Sequence, residues 1–300
     1  MKNKGFFSAP ILAIIVMALS LLIRYVDVSI LGEGDAVFLS IAVLQLVILF
    51  FPALLYVRFR NVKISSLRLR IPSGRSVLFT VSALFAVIFG SMLISFGMYF
   101  SGVSASSSSM YSQLVPDALA SRAVFISIAF AIIPALTEEF LCRSVIMSEY
   151  QSAGIGTAVF FSAILFSFLH FDLTAFPVYF FSGLILGFTA FVTRSVFCSA
   201  IVHLIHNLYI LFFEEYISAM VKIPQNIVFT VFIAVVFFLL SLFLMLGQGE
   251  RLLYRNGSLA LDKEEDFIPE NKNGNLFSAL LTPSFPICVT VYLVIVFLIT

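Results

Sequence analysis

Residues 123–147, AVFISIAFAIIPALTEEFLCRSVIM, decide the fold class, because this stretch is long, apolar and charged at only one place. As an α-helix, 25 residues extend about 37 Å at 1.5 Å per residue. That length crosses the roughly 30 Å hydrocarbon core of a bilayer. Its charged residues stand together as Glu138, Glu139 and Arg143. The stretch therefore predicts a membrane-spanning helix that carries a polar site.

Similar apolar runs flank this stretch on both sides. With residues 123–147 included, eight runs are long enough to be candidate helices: 8–23, 36–57, 76–100, 123–147, 157–172, 176–193, 196–213 and 226–247. A ninth run, 285–299, is short and fits either a span or a helix lying at the interface. The runs are continuous rather than alternating, and only helices or closed barrels satisfy the backbone in lipid. We predict an all-α polytopic transmembrane helix bundle, forming a single membrane domain over residues 1–300.

The composition excludes a soluble protein. Hydrophobic residues make up 61% of the chain and charged residues 11%, against about 25% charged residues in soluble domains. A net charge of +1 gives no reason to expect a nucleic-acid partner. Cys142, Cys198 and Cys288 lie in or beside apolar runs, so we expect packing residues rather than disulfides. The expected surroundings are the lipid bilayer.

Basic residues predict the orientation of the bundle. The segment 58–75 carries six Lys and Arg residues and no acid, which places it in the cytoplasm by the positive-inside rule. The N-terminus then also lies in the cytoplasm, and the first run is expected to be a retained helix rather than a cleaved signal. Only Arg24, Arg122 and Lys222 of the 17 basic residues fall outside. Residues 248–284 are expected to form a cytoplasmic polar loop, partly disordered.

Ionisable residues within the spans are concentrated in one third of the chain. Such groups cost at least about 2.5–3.5 kcal/mol each on insertion scales, which makes them functional hypotheses by default. They include every histidine of the protein and comprise Glu138, Glu139, Arg143, His170, Asp172, His203, His206 and, as an amide, Asn207. Of these, Asp172 is expected to be a helix-end residue, and His206 to cap a contact between helices.

Counting residues along the helices brings four of these groups to one depth. Glu138 lies about 18 Å from the end of its helix near Tyr150, and His170 about 21 Å above a turn at Gly156. From a turn at residues 194–195, His203 is about 12 Å up and Asn207 about 18 Å up. A site inside the bundle is the simplest explanation. A buried hydrogen-bond network that only fixes helix packing remains the alternative.

Helical spacing separates the two adjacent glutamates. Glu139 and Arg143 are four residues apart and can form an ion pair on one helix face. Glu138 points about 100° away, so it is left for chemistry, while the reverse assignment stays open. His203 and Asn207 are also four residues apart and share a face.

Three motifs carry a resemblance to a known family. They are E-E-x-x-x-R at 138–143, F-x-x-x-H at 166–170 and H-x-x-x-N at 203–207. In order and spacing they resemble the CPBP family of intramembrane proteases, which includes type II CAAX prenyl endopeptidases and bacteriocin-processing or self-immunity proteins. The resemblance covers residues 123–213, which we treat as the catalytic core.

The resemblance implies a cavity open to the cytosol and cleavage of a peptide bond near the C-terminus of a membrane-associated or lipidated protein or peptide. By motif position, Glu138 would activate water with help from His170. His203 and Asn207 would stabilise the oxyanion, and Glu139 and Arg143 would support the site. The chain's compactness suggests a bacterial plasma membrane.

Two questions stay open at this stage. A zinc ion bound by Glu138, His170 and His203 would fit the metalloprotease label given to the family, but no H-E-x-x-H motif is present, and a metal-free glutamate mechanism uses the same residues. The competing functions are a non-catalytic membrane immunity or partner-binding protein on the same scaffold and a proton-coupled transporter. A transporter would need a polar path to both membrane faces.

Overall fold

A computed structural model describes residues 8–24, 28–103, 122–221, 223–261 and 276–299 of the 300-residue chain. Within these ranges the regular structure is helical and contains no strand. The helices are α1 (Ala9–Arg24), α2 (Asp35–Arg60), α3 (Val77–Phe100), α4 (Arg122–Ala153), α5 (Ile155–Phe168), α6 (Phe176–Thr193), α7 (Val196–Val221), α8 (Pro224–Leu261) and α9 (Ser284–Ile299). A single turn of helix, Leu276–Leu280, precedes α9.

The predicted fold class is confirmed, since every predicted apolar run forms a helix. Within the described residues, six helices are long and apolar enough to cross a membrane: α2, α3, α4, α6, α7 and α8. The helices α1, α5 and α9 are apolar but shorter. One run ends earlier than predicted, because α5 stops at Phe168 rather than at residue 172.

Two prolines explain one π-helical turn in each of the helices α2 and α4. Pro52 and Pro134 each lie just after a π-helical turn, Leu46–Phe50 in α2 and Ile128–Ile132 in α4. A proline inside a helix lacks the N–H for the preceding turn and clashes with the carbonyl four residues before it. The wider π turn accommodates that missing bond, so both helices continue beyond their prolines.

Close packing of α5 against α6 supports the middle of the bundle. A Cβ atom added to Gly183 of α6 would lie 2.9 Å from the Cα atom of Ala163 in α5. Only glycine lets the two backbones approach so closely, which is how helices associate in membranes. The helix α7 contacts α3, α4 and α6, and is therefore central, whereas α8 packs mainly against α3 and leaves much of its apolar surface exposed.

The ends of the helices form two polar faces. At one face, Ser195 donates a hydrogen bond to the Arg70 carbonyl and the Val196 amide donates one to the Arg68 carbonyl. We call this the basic face, because it carries the basic segment 58–75. At the other end of the bundle, Arg122 pairs with Asp35 at 3.1 Å. We call this end the opposite face, and the positive-inside rule predicts that it lies outside the cell.

The segment 248–284, predicted to be a polar loop, is partly helical. The helix α8 continues from the membrane-spanning part to Leu261, giving 38 residues and a length of about 57 Å. Leucine, arginine and glutamate in residues 250–255 are good helix formers, which favours this extension. Residues 262–275 lie outside the described part of the chain.

Candidate active site

The helix α4 positions the first motif at the centre of the bundle. Glu139 and Arg143 are fully buried, and Arg143 Nε lies 3.3 Å from Glu139 Oε2. The angle does not make this contact a hydrogen bond, so the two groups form a buried ion pair. The predicted partnership between these residues is therefore present in the structure. Removing one charge from such a pair leaves the other uncompensated in a low-dielectric interior.

The second partner of Glu139 is His203 of α7. His203 Nδ1 lies 3.1 Å from Glu139 Oε1. An ionised carboxylate only accepts hydrogen bonds, so Nδ1 carries the proton and donates it. This contact fixes the orientation of the imidazole and directs Nε2 towards Glu138, whose Oε2 is 3.9 Å away.

Glu138 differs from Glu139 in having no fixed partner. Its side chain is 16% exposed, and the buried Oε2 makes no hydrogen bond within the described part of the chain. The distance of 3.9 Å to His203 is too long for a direct hydrogen bond. A buried oxygen without a partner is costly unless water or a ligand satisfies it. The buried oxygen of Glu138 is therefore open to a water molecule or a ligand.

Phe166 of α5 connects the three motifs. Its ring lies 4.5 Å from the Arg143 guanidinium carbon, a cation–π distance. The ring centroid is also 4.8 Å from His170 and 5.6 Å from His203, both in edge-on contact. One aromatic side chain therefore fixes the relative positions of the arginine and the two imidazoles.

His170 lies just beyond the end of α5, not within a helix as predicted. The helix ends at Phe168, and the following turn includes Phe171 in the left-handed region, at φ 53°. His170 Nδ1 is 3.0 Å from the Phe166 carbonyl, to which it donates, so Nε2 of the neutral ring is an acceptor. Tyr179 of α6 stacks on the imidazole at 3.8 Å. Both contacts fix the orientation of the His170 ring.

The remaining sequence candidates take different positions. Asp172 accepts hydrogen bonds from Thr174 and from the Ala175 amide, just before α6 begins. It therefore has the helix-end role expected for it. Asn207 lies on α7 one turn beyond His203 and is partly buried. No described hydrogen bond joins Asn207 to Glu138, His203 or another residue. His206 lines a separate pocket between α3, α6 and α7.

The described side chains do not form a metal-binding cluster. No group of three or more His, Cys, Asp and Glu residues in the described ranges is close enough to hold an ion. Glu138, His170 and His203, the ligand set considered from the sequence, are therefore not, as a set, within metal-binding distance of one another as these side chains stand. The Nδ1 contacts of the two histidines leave Nε2 as the remaining ring nitrogen of each, which is the arrangement that metal-binding histidines usually have.

Donors from outside α4 support the segment that carries Arg143. Residues Phe140–Ile146 form a second π-helical segment, directly after the two glutamates. Ser162 donates a hydrogen bond to the Cys142 carbonyl, and Arg68 of the basic segment donates one to the Arg143 carbonyl. Arg68 also binds Gln151 at 2.7 Å. Burial lowers the pKa of Arg68 to about 10, so its guanidinium stays charged at neutral pH.

The sequence placed Phe166 in the F-x-x-x-H motif, four residues before His170 and on the same helix face, but gave it no role of its own. Tyr179, Ser162 and Arg68 were not singled out. Their contacts with the site depend on how separate helices and the basic segment pack together. Arg68 in particular could not be distinguished from its basic neighbours.

An apolar groove lies between the two helices that carry Glu138 and His203. Its volume is about 430 Å³, and its lining is formed by α4, α7 and two residues of the basic segment. The lining residues are Ile71, Pro72, Ile132, Ala135, Leu136, Phe197, Ala200, Ile201 and Leu204. Leu136 is 48% exposed and Ile71 87% exposed. The groove therefore opens at the surface of the bundle, beside the polar site.

The arrangement can support hydrolysis of an amide. An unpartnered carboxylate can accept a proton from water, and an adjacent imidazole with a carboxylate behind it can stabilise developing charge. Cys142 is buried in helix packing, and the Ser199 hydroxyl donates a hydrogen bond to the Val196 carbonyl. The arrangement is compatible with activation of water by a carboxylate.

Comparison with known proteins agrees with this class of site. Residues 120–209 match the family described as "Type II CAAX prenyl endopeptidase Rce1-like". The match spans all three motifs and confirms the resemblance of this part of the chain to the CPBP intramembrane proteases. Because that family consists of proteases, the kind of function supported is that of an integral membrane hydrolase. No curated protein and no solved structure matches the chain.

Proposed function

We propose that this protein is an intramembrane endopeptidase that hydrolyses a peptide bond near the C-terminus of a membrane-associated protein or peptide. The observation that carries the proposal is the contrast between two adjacent glutamates. Glu139 is bound by Arg143 and His203, whereas the buried oxygen of Glu138 has no described partner and faces His203 Nε2 at 3.9 Å. A packing network would use both carboxylates.

In this proposal Glu138 accepts a proton from water, and the water oxygen attacks the scissile carbonyl carbon. The C–N bond then breaks, and Glu138 returns the proton to the leaving amine. His170, through its free Nε2, orients the water. His203 donates from Nε2 to the oxyanion when its ring is protonated, and Glu139 compensates the imidazolium charge. Asn207 is proposed as a second oxyanion donor, which requires it to contact the bound substrate. No step in this proposal uses a metal ion.

The apolar groove suggests how a substrate reaches the site. A peptide attached to the bilayer by apolar side chains or a lipid chain could place them between α4 and α7. Its scissile bond would then lie near Glu138, which shares α4 with Ala135 and Leu136 of the groove. A prenylated C-terminal peptide fits this description, as does an unmodified hydrophobic peptide such as a bacteriocin precursor. A multi-pass location in a bacterial plasma membrane is part of the proposal.

The test is cleavage of quenched C-terminal peptides, with and without a farnesyl group, by protein purified in detergent and reconstituted in lipid. We expect cleavage by the wild type, and losses of at least a hundredfold in kcat for Glu138→Gln and Glu138→Ala. General acid–base catalysis contributes typically about 10²–10⁴-fold. The matched control is Glu250→Gln, which changes an exposed glutamate at the far end of α8.

Two outcomes would overturn the proposal. If Glu138→Gln cleaves as fast as wild type, the proposed base is wrong. If no peptide is cleaved and Glu138→Gln performs fully in the native cell, the function is that of a non-catalytic partner-binding protein. Such a protein would tolerate glutamine at position 138, because glutamine keeps the size and hydrogen bonding of the side chain. The same cleavage assay with a chelator present tests whether the enzyme needs a metal ion. We expect the cleavage rate to be unchanged.

A further inference from the structure

A polar pocket lies between α3, α6 and α7, separate from the apolar groove between α4 and α7. It has a volume of about 60 Å³ and is lined by Ser91, Met92, Ser95, Phe96, Val178, His206, Tyr209, Ile210 and Glu214. Five of these side chains are polar, which is unusual for a cavity between membrane helices. None of them belongs to the three motifs, except that His206 falls inside the third.

His206 is the feature of this pocket that helix packing does not explain. Its side chain is 94% buried (6% exposed), yet no hydrogen bond joins its imidazole to another residue in the described part of the chain. Its one described ring contact is with Tyr209, at 6.3 Å. A buried polar ring without a protein partner is costly unless water satisfies it. A cavity needs about 10–15 Å³ of volume accessible to water to hold one water molecule, so the pocket has room for several.

The pocket extends towards the opposite face of the bundle. Glu214 is exposed at that end of α7. At the other side of the pocket, Val178 of α6 belongs to the lining, and the next residue, Tyr179, stacks on His170 of the active site. The pocket therefore extends from the exposed Glu214 towards the proposed water-orienting histidine.

The pocket also approaches the site along α7. His206 follows His203 by three residues, a rise of about 4.5 Å, so the two side chains are neighbours along one face of α7. The apolar groove lies between α4 and α7 and reaches the basic face at Ile71 and Pro72. A substrate that occupies the apolar groove would keep water from reaching the site between α4 and α7. Each hydrolysis nevertheless consumes one water molecule.

We infer that the pocket lined by Ser91, Ser95, His206, Tyr209 and Glu214 is a hydrated entry path that supplies water to the active site from the opposite face. The role of the path in supplying water rests on the proposed hydrolytic function, whereas its hydration does not. The pocket is a water path whether or not a particular peptide is the substrate, and the two parts of the test separate these points.

The first part measures hydration without any substrate. Ser95→Cys is introduced after Cys142, Cys198 and Cys288 are replaced by alanine, and a membrane-impermeant thiol reagent is added to the side of the opposite face. We expect Ser95→Cys to react at least tenfold faster than Leu93→Cys, which is two residues away on α3 and does not line the pocket. Equal, slow reaction of both would overturn the inference, because a lipid-filled or dry pocket protects a thiol.

The second part measures whether the pocket supplies water to the active site during catalysis. Ser95→Leu fills the pocket, and we expect it to lower kcat about tenfold with KM unchanged, whereas Ser95→Ala keeps the pocket open and keeps wild-type kcat. His206→Phe is the second plugging variant and guards against a local effect of Ser95→Leu. Unfolding midpoints within about 2 °C of wild type show that the variants fold. Wild-type kcat in both plugged variants would overturn the supply role.

The two parts also distinguish this inference from failure of the proposed function. If no peptide is cleaved by the wild type but Ser95→Cys reacts rapidly, the proposed protease fails while the hydrated path stands. If labelling is slow and cleavage by Ser95→Leu is normal, the path fails while the protease stands. Labelling of Ser95→Cys from both faces of the membrane would contradict a path ending at the site and would favour a transporter.

Discussion

At the scale of single residues, the division of roles between neighbouring side chains depends on contacts that the sequence reveals only in part. The spacing of Glu139 and Arg143 predicts their ion pair, because four residues along a helix place two side chains on one face. The bond from His203 to Glu139 is different, since it joins residues 64 positions apart. The motif order suggested an oxyanion role for His203, whereas the structure gives it a carboxylate partner as well.

Phe166 provides the first prediction at this scale. Replacing Phe166 with leucine removes the cation–π contact to Arg143 and the edge contacts to both histidines. Such a contact contributes roughly 0.5–2 kcal/mol, so we expect about a tenfold lower kcat, since 1.36 kcal/mol changes a rate tenfold. The measurement is peptide cleavage by Phe166→Leu and by its control, Phe160→Leu.

The control lies on the same helix and packs against Phe161 and Phe180 rather than against the site. We expect Phe160→Leu to keep wild-type kcat. Equal losses in the two variants would show that Phe166 acts only through the general packing of α5.

At the scale of helices, the sequence predicted which segments form helices better than it predicted where each helix ends. Every apolar run forms a helix, because lipid allows the backbone few alternatives. The end of α5 at Phe168 was missed, since residues 169–172 contain no glycine or proline to indicate that the helix ends there. The turn there depends on Phe171 adopting a left-handed conformation, which a non-glycine residue takes only when its surroundings require it. The helical extension of α8 was missed for the opposite reason, because its residues are polar.

The contact between α5 and α6 gives the prediction at this scale. Gly183→Ala would bring a new Cβ within 2.9 Å of the Ala163 backbone, and we expect it to separate the two helices. Overpacking of this kind costs typically about 1–3 kcal/mol, which lowers the unfolding midpoint by several degrees. The measurement is thermal unfolding in detergent.

Gly156→Ala is the matched control, because a Cβ at this position in α5 meets no atom within 4 Å. We expect it to leave the unfolding midpoint unchanged or slightly raised, since alanine favours a helix over glycine. A stable Gly183→Ala variant would refute close backbone packing of α5 against α6.

At the scale of the whole molecule, the predicted orientation in the membrane follows from applying the positive-inside rule to the two faces of the bundle. Basic residues of segment 58–75 lie at the end where Arg68 binds Arg143 and Gln151. The arrangement places the groove mouth at Ile71 and Pro72 on this basic face and the exposed Glu214 on the opposite one. Composition alone predicted the membrane class and the bundle, but which helices meet at the site needed the tertiary contacts.

The orientation is tested with cysteines introduced at the two faces. Lys63→Cys in the basic segment is expected to react with an impermeant maleimide only after the membrane is opened. Val103→Cys, 41% exposed just after α3, is expected to react in intact cells. The reverse pattern would place the basic face outside and contradict the positive-inside assignment.

The central claim is that Glu138 performs the chemistry while Glu139 holds the site together. The most direct measurement compares the unfolding midpoint and the cleavage rate of Glu138→Gln and Glu139→Gln. We expect Glu138→Gln to lose cleavage with an unfolding midpoint within about 2 °C of wild type. Glu139→Gln leaves the buried Arg143 without its counter-charge, which costs about 3–5 kcal/mol, so we expect a midpoint many degrees lower. An active Glu138→Gln beside an inactive Glu139→Gln of wild-type stability would contradict the claim and reverse the two roles.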